Sequence, residues 1–201
     1  MSKGSESVML GLKLPTHPRW VALVEGNISE VLTDHAWCEQ KAASNAISTI
    51  VRFHGHTDLV EELTRIAIEE MEHFGMVVEK IKERGWTLGP ERKDPYIHDL
   101  ASFIIKGGSK EAQLVDRLLL AAMIEARSCE RFRMLSERIE DEDLKVFYHE
   151  LMVSEAQHYT TFIGFARQYG GDVDVEARWQ AFLAHEAAVI QRYGKKETMH
   201  G

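Results

Sequence analysis

Glu69-Glu70-Met71-Glu72-His73-Phe74 and Ser154-Glu155-Ala156-Gln157-His158-Tyr159 each hold a glutamate followed three residues later by a histidine. On an α-helix that spacing stacks the two side chains on one face, a turn apart. A lone glutamate stands ahead of each pair: Glu39 precedes Glu70 by 31 residues, and Glu125 precedes Glu155 by 30. Composition alone would supply about one Glu-x-x-His in 201 residues with ten histidines, so a single motif decides little. The repeat is more informative. Two similar helical hairpins, each offering a lone Glu and then Glu-x-x-His, present the ligand set of carboxylate-bridged di-iron and di-manganese bundles.

Around these residues the apolar positions recur at three- and four-residue steps, as a helix with one buried face requires. Leu32, Ala36, Ala43, Ala46 and Ile50 form the first stripe, and Leu59, Leu63, Ile66, Phe74, Val77 and Ile81 the second. Leu114, Leu118, Ala122, Cys129 and Phe132 form the third, and Phe147, Leu151, Phe162 and Phe165 the fourth. Each stripe is interrupted once, by Glu39, Glu70, Glu125 and Glu155 in turn. A charge in a core costs several kcal/mol unless it is paired or bound to metal. Glu130 is a rival on the third stretch, but it lies off the stripe and spoils the repeat. The candidate donors are therefore Glu39, Glu70, His73, Glu125, Glu155 and His158. An all-oxygen and imidazole set suits iron, with manganese as the less favoured alternative, and the lack of thiolates argues against structural zinc.

Local signals set the expected boundaries. Asn27 with Glu30 predicts the cap of a first long helix over 28–53, broken by His54-Gly55-His56. Asp58 with Glu61 predicts a second, reaching Arg84 before Gly85 closes it. Residues 85–108, with Pro90 and Pro95, read as a long crossover holding a short helical piece around 99–106. Gly107-Gly108-Ser109 opens a third helix to about Glu137, Asp141 starts a fourth that ends at Gly170-Gly171, and a fifth runs from Asp174 to Tyr193. Residues 1–27, with Pro15 and Pro18, read as an extended lead-in, and 194–201 as a frayed tail. The expected fold is all-α: one domain over 1–201, a four-helix bundle of ferritin-like type with a long crossover and an added C-terminal helix.

With 44% apolar and 28% charged residues the composition is that of a globular chain. No stretch approaches the ~20 apolar residues of a membrane span, and no basic start with an apolar run suggests a signal peptide, so the cytoplasm is the expected location. Two cysteines, Cys38 and Cys129, make no disulfide framework and read as small buried residues. Tyr159 reads as a core aromatic beside a ligand, Glu69 and Gln157 as candidates to bond the ligands, and His54 and His56 as solvated turn residues. No Gly-rich strand-to-helix turn marks a flavin or nicotinamide site, so any redox chemistry needs an external electron donor.

The runs Ala36-Trp37-Cys38-Glu39-Gln40-Lys41-Ala42-Ala43, Glu69-Glu70-Met71-Glu72-His73-Phe74, Met123-Ile124-Glu125-Ala126-Arg127-Ser128 and Ser154-Glu155-Ala156-Gln157-His158-Tyr159 together resemble the MiaE-type tRNA hydroxylases, from about Trp20 to the C-terminus. The resemblance implies a non-haem di-iron monooxygenase with its irons held by the six residues above, Glu70 and Glu155 being the favoured bridges. It would take O2 and electrons from a reductase or ferredoxin, and hydroxylate the isopentenyl chain of 2-methylthio-isopentenyl-adenosine in tRNA. A net charge of −8 means that tRNA would have to meet a local basic surface. The densest cluster is Lys80, Lys82, Arg84, Arg92 and Lys93, with Arg192, Lys195 and Lys196 as a second patch. The competing readings are a ferritin- or rubrerythrin-like iron-storage or peroxide-scavenging protein, a manganese catalase, and a metal-free helical interaction module.

Overall fold

Two long helical hairpins carry the fold in the computed structural model, which describes residues 9–193 and Met199. Helices α2 (Ile28–Arg52) and α3 (Thr57–Glu83) form the first, and α5 (Lys110–Arg138) and α6 (Glu142–Gln168) the second. Short helices α1 (Trp20–Glu25) and α4 (Pro95–Ala101) precede them, and α7 (Val175–Tyr193) packs on α4 and α5. Among the described residues there is no strand, and no helix is long and apolar enough to cross a membrane.

Caps that depend only on neighbouring residues are where the sequence places them. Ser109 accepts from the Ala112 N–H at 3.1 Å, and Asp141 from that of Leu144 at 3.0 Å. Gly85 takes a positive φ, which lets the Trp86 N–H reach back to the Ile81 carbonyl and close α3. Four expectations need correction. The lead-in is not extended throughout: α1 forms within it and buries Trp20, Val21 and Val24, with the Arg131 guanidinium 4.6 Å above the Trp20 ring. Because α1 ends so close to α2, the Asn27 amide donates to the Leu23 carbonyl at 3.0 Å and does not cap α2. The crossover helix is 95–101, not 99–106. Asp94 caps it by accepting from the Ile97 N–H at 3.1 Å, and Pro95 occupies the first turn, where a missing N–H is harmless. Asp58 lies inside α3 and does not cap it; its carboxylate accepts from Gln168 and Tyr169, tying the start of α3 to the end of α6.

The tail 194–201 lies outside the described residues except for Met199, which is buried rather than frayed. Its N–H donates to Asp34 at 2.7 Å, and its carbonyl accepts from Arg131. The crossover lies along α2, with the Trp37 indole donating to the Gly89 carbonyl at 3.0 Å and Lys41 to that of Arg92 at 3.1 Å.

The core is divided in two. One cluster gathers Leu59, Leu63, Leu114, Leu118 and Phe162 at one end of the bundle. The other gathers Leu32, Val77, Ile81, Phe132 and Tyr148 at the opposite end. On α2, α3 and α6 the interrupting glutamate falls between the two clusters, and on α5 Glu125 lies at the edge of the first, beside Ala126, so all four meet at the waist.

Candidate metal centre

Glu39 on α2, Glu70 and His73 on α3, Glu125 on α5, and Glu155 and His158 on α6 replace apolar residues on buried stripes, and all six are buried. The structure brings them together in two overlapping groups. Glu39, Glu70, His73 and Glu155 form one, and Glu70, Glu125, Glu155 and His158 the other, with donor atoms within 4.8 Å of one another in each. Glu70 and Glu155 belong to both. Both oxygens of Glu70, Oε1 of Glu155, and Nδ1 of His73 and His158 are buried without a hydrogen bond among the described residues. His158 Nδ1 comes within 3.0 Å of Glu70 Oε1, an ion-pair contact without hydrogen-bond geometry. Leaving such groups unsatisfied is costly, and a cation between them removes the cost. The cluster fits a metal site.

Outer contacts fix these donors. Glu69 accepts from the Ser154 hydroxyl at 2.7 Å and stands behind both histidine rings, 3.2 Å from His158 Nε2 and 4.0 Å from His73 Nε2. A carboxylate on Nε2 leaves Nδ1 to face the cluster. His35 plays a comparable part for Glu39, its Nε2 lying 2.6 Å from Oε1. Sequence reasoning missed His35, although its position one turn before Glu39 on the same face was legible.

The two halves are not alike. The residue four before Glu125 is Ala121, where the first half has His35. On Ala121's side the bundle leaves a cavity of about 150 Å3 that reaches Glu70 and Glu125. Ile66, Ala121, Ile124, Leu120 and Phe162 give it apolar walls, and Lys41, Asn45 and Asp94 add polar groups.

Comparison with known proteins gives the family of the chain. The family model described as tRNA-(MS[2]IO[6]A)-hydroxylase (MiaE) matches residues 5–201, and so includes all six donors. A tRNA 2-(methylsulfanyl)-N(6)-isopentenyladenosine(37) hydroxylase of Pseudomonas putida is 36% identical over 94% of this chain and 91% of that protein. The chain belongs to the MiaE family. A Salmonella typhimurium hydroxylase of the same description is 29% identical over 94% of this chain and 87% of its own length. Among solved structures, a Synechococcus protein with aldehyde deformylating oxygenase activity superimposes with a TM-score of 0.86 at 34% identity, covering 94% of this chain and 95% of that one. The bundle is ferritin-like, as expected.

Other expectations fare unevenly in this MiaE-family chain. Glu130 is buried away from the cluster, where it accepts from Thr16 and from Arg127 at 2.9 Å. Gln157 is exposed on a wide surface groove that contains none of the six donors, so it does not bond the ligands. Tyr159 packs against Trp179, with ring centres 5.9 Å apart. Cys129 is buried, whereas Cys38 is half-buried and lines the cavity. His54 is exposed, but His56 packs 4.2 Å from the Tyr169 ring. The basic cluster is largely neutralised. Lys80 pairs with Asp143 at 2.7 Å, Arg84 with Asp141 at 2.8 Å, and Arg92 with Glu30. The end of α3 meets the acidic first turn of α6, so Lys80 and Arg84 serve that junction, whereas Lys82 and Lys93 stay exposed. Arg192 pairs with Asp99 at 3.0 Å, and Lys195 and Lys196 lie outside the described residues.

Burial, then the charges of their neighbours, raises Glu39, Glu125 and Glu155 well above the ordinary carboxylate range. Glu70 is the exception: burial opposes its ionisation, but the close His158 and His73 rings hold it below that range. For His158 burial acts downward, yet Glu70 and Glu155 push it up to about 9. A group with a raised folded pKa stabilises fully below its unfolded value, and loses that contribution as pH climbs through the folded value. Metal-free protein should therefore lose on the order of 3 kcal/mol between pH 6.5 and 9 from His158 alone. Calorimetry should show a lower Tm at pH 9 than at 6.5, with the slope reduced in His158→Gln. A Tm that rises across that range would refute the linkage.

Proposed function

We propose that this chain is an O2-dependent, non-haem di-iron monooxygenase that hydroxylates the isopentenyl group of 2-methylthio-N6-isopentenyladenosine in tRNA. The observation that carries this reading is the apolar cavity ending on the buried carboxylates, in a chain of the MiaE family. Glu39, Glu70, His73 and Glu155 would hold one iron, and Glu70, Glu125, Glu155 and His158 the other, with Glu70 and Glu155 as bridges. Six oxygen and nitrogen donors with open positions suit iron. The iron pair, when bound, supplies activation of O2: one oxygen atom enters an allylic C–H bond and the other leaves as water, using two protons and two electrons from an external reductase or ferredoxin.

The chain's own residues prepare that chemistry. Glu69 and His35 hold the donors in register, so little reorganisation accompanies reaction. Ile66, Leu120, Ala121, Ile124 and Phe162 exclude water and accept a branched five-carbon chain, placing its C–H bonds against the carboxylate face of the cluster. Lys41, Asn45 and Asp94 leave hydrogen-bonding groups for the purine. Storage of iron needs no such pocket, and the protein would act in the cytoplasm, where tRNA is.

Nucleoside mass spectrometry of tRNA from cells with and without the gene should show the hydroxylated base only when the gene is present. Leu120→Trp, which fills the cavity, should keep its metal but raise the KM for the prenylated nucleoside by about tenfold or more, the scale of burying one branched apolar side chain. Turnover of a fatty aldehyde with no activity on the nucleoside would replace this reading.

A further inference from the structure

From Glu39 the seam between α2 and α5 passes the cavity and ends at two arginines. Asn45, which lines the cavity, accepts from Arg117 Nη2 at 3.2 Å. Arg117 also donates to the Ser48 hydroxyl at 2.6 Å and to that of Thr49 at 3.1 Å. Arg52, one turn further on, is exposed and donates to the Gln113 side-chain carbonyl. Every one of these acceptors is neutral, and among the described residues no carboxylate pairs with either guanidinium. The cations of the α3–α6 junction, by contrast, all face acids. Burial first, and then the charge of Arg52, press Arg117 below its ordinary value, so the local field is positive and unrelieved. Two adjacent arginines that face no carboxylate repel each other and leave a local positive field in a chain of net charge −8, a ready place for an anion.

We infer that Arg52 and Arg117 form a phosphate subsite that grips the RNA backbone beside the modified base. This rests on the tRNA hydroxylase reading above. Geometry sets the order of the parts. Thirteen residues separate Glu39 from Arg52, about 20 Å along the helix at ~1.5 Å per residue. That span suits an extended prenylated nucleotide: prenyl chain at the carboxylates, purine in the cavity, phosphate at the arginines. Planar guanidinium groups match phosphate oxygens in pairs, as a lysine's point charge does not. Lys80, Arg84 and Arg92 of the expected basic cluster are spent on ion pairs, and this seam adds two cations that pair with no carboxylate among the described residues.

The test uses iron-loaded wild type, Arg52→Gln and Arg117→Gln with two substrates, a prenylated anticodon stem-loop and the free prenylated nucleoside. The ratio of kcat/KM for stem-loop to that for nucleoside should fall about tenfold in each variant, the scale of removing a charge-assisted hydrogen bond. The slope of log affinity against log salt for the stem-loop should become shallower by roughly 0.7 for each phosphate no longer gripped. Arg52 is exposed and, among the described residues, its guanidinium bonds Gln113 and lies near the ring of its neighbour Phe53, so its variant separates loss of charge from loss of fold. An unchanged ratio and slope in both variants, with the wild type still hydroxylating the stem-loop, would overturn the subsite and leave the function standing. A lowered Tm with proportional loss on both substrates in Arg117→Gln, and a silent Arg52→Gln, would reduce Arg117 to a staple between helices and overturn the subsite too. A wild type that hydroxylates neither substrate sinks the functional reading and the subsite together.

Discussion

Glu70→Ala should bring metal content from about two ions per chain to near none, whereas Glu39→Ala should weaken one position more than the other. Glu70 belongs to both donor groups, so its loss leaves each of them with three members. Among the described residues neither of its oxygens makes a hydrogen bond, and its contacts are the ion pairs with His73 and His158. The folded chain loses only a charge, and that charge was held ionised between the His73 and His158 rings. Without it His158 loses its nearest anion, 3.0 Å away, and although Glu39, Glu125 and Glu155 ionise more readily once the charge of Glu70 is gone, neither donor group regains its fourth member. Altering groups that merely orient a ligand typically costs 10–100-fold in metal affinity. Removing a shared ligand should cost more than about a hundredfold, and hydroxylation should fall with it. Elemental analysis of the purified variant decides the matter, with Tm of the metal-free proteins as the control for folding. A Glu70→Ala protein that keeps two ions would remove Glu70 from the site.

What the sequence made legible was periodic or local. The Glu-x-x-His pairs and their lone glutamates are fixed by helical geometry, and Ser109 and Asp141 cap their helices through bonds only three residues long. Asp94-Pro95 carries an equally local signal, a cap residue before a proline, but a proline is also a mark of a broken chain, and nothing nearby decides between the two. Long-range partners were out of reach. Trp20 lies in a helix and packs beneath Arg131, a partner far away in the sequence. Lys80 and Arg84 lose their apparent freedom to Asp141 and Asp143, distant in sequence, because antiparallel packing sets the end of α3 beside the start of α6. The cavity arises from what a neighbour lacks: Ala121 stands where the first half has His35, and only the assembled bundle shows the space.

Glu186→Ala should destabilise the fold more than any surface change, by about 3–5 kcal/mol, the range for unpairing a buried ion. Glu186 on α7 is fully buried and accepts from Arg127 Nε at 2.9 Å and Nη2 at 2.6 Å. The Tyr96 hydroxyl donates to the same oxygen at 3.1 Å, so one carboxylate joins α7, α5 and α4. Arg127 and Arg131 are balanced by Glu130 and Glu186, all four of them buried. With Glu186 gone the network carries an uncompensated positive charge. Burial and the charge of Arg127 already hold Arg131 down to about 10, a sign that the positive side has no slack. At about 2–4 °C per kcal/mol for a chain of this size, Tm should fall by roughly 10 °C. Glu186→Gln keeps an acceptor and should fall less. Arg127→Met with Glu186→Leu removes the charge pair together and should recover much of the loss, since apolar replacement of a buried pair is often neutral or better. The functional effect should also be selective. Tyr96 anchors α4 next to Ile97 and near Asp94, both of which line the cavity, while the six donors sit on other helices. Loosening α4 should therefore raise the KM for the prenylated substrate and leave metal content near two per chain. A Glu186→Ala protein that keeps wild-type Tm would show the network to be solvated in solution, and one that loses metal before it loses substrate affinity would show α4 to be coupled to the cluster instead of the cavity.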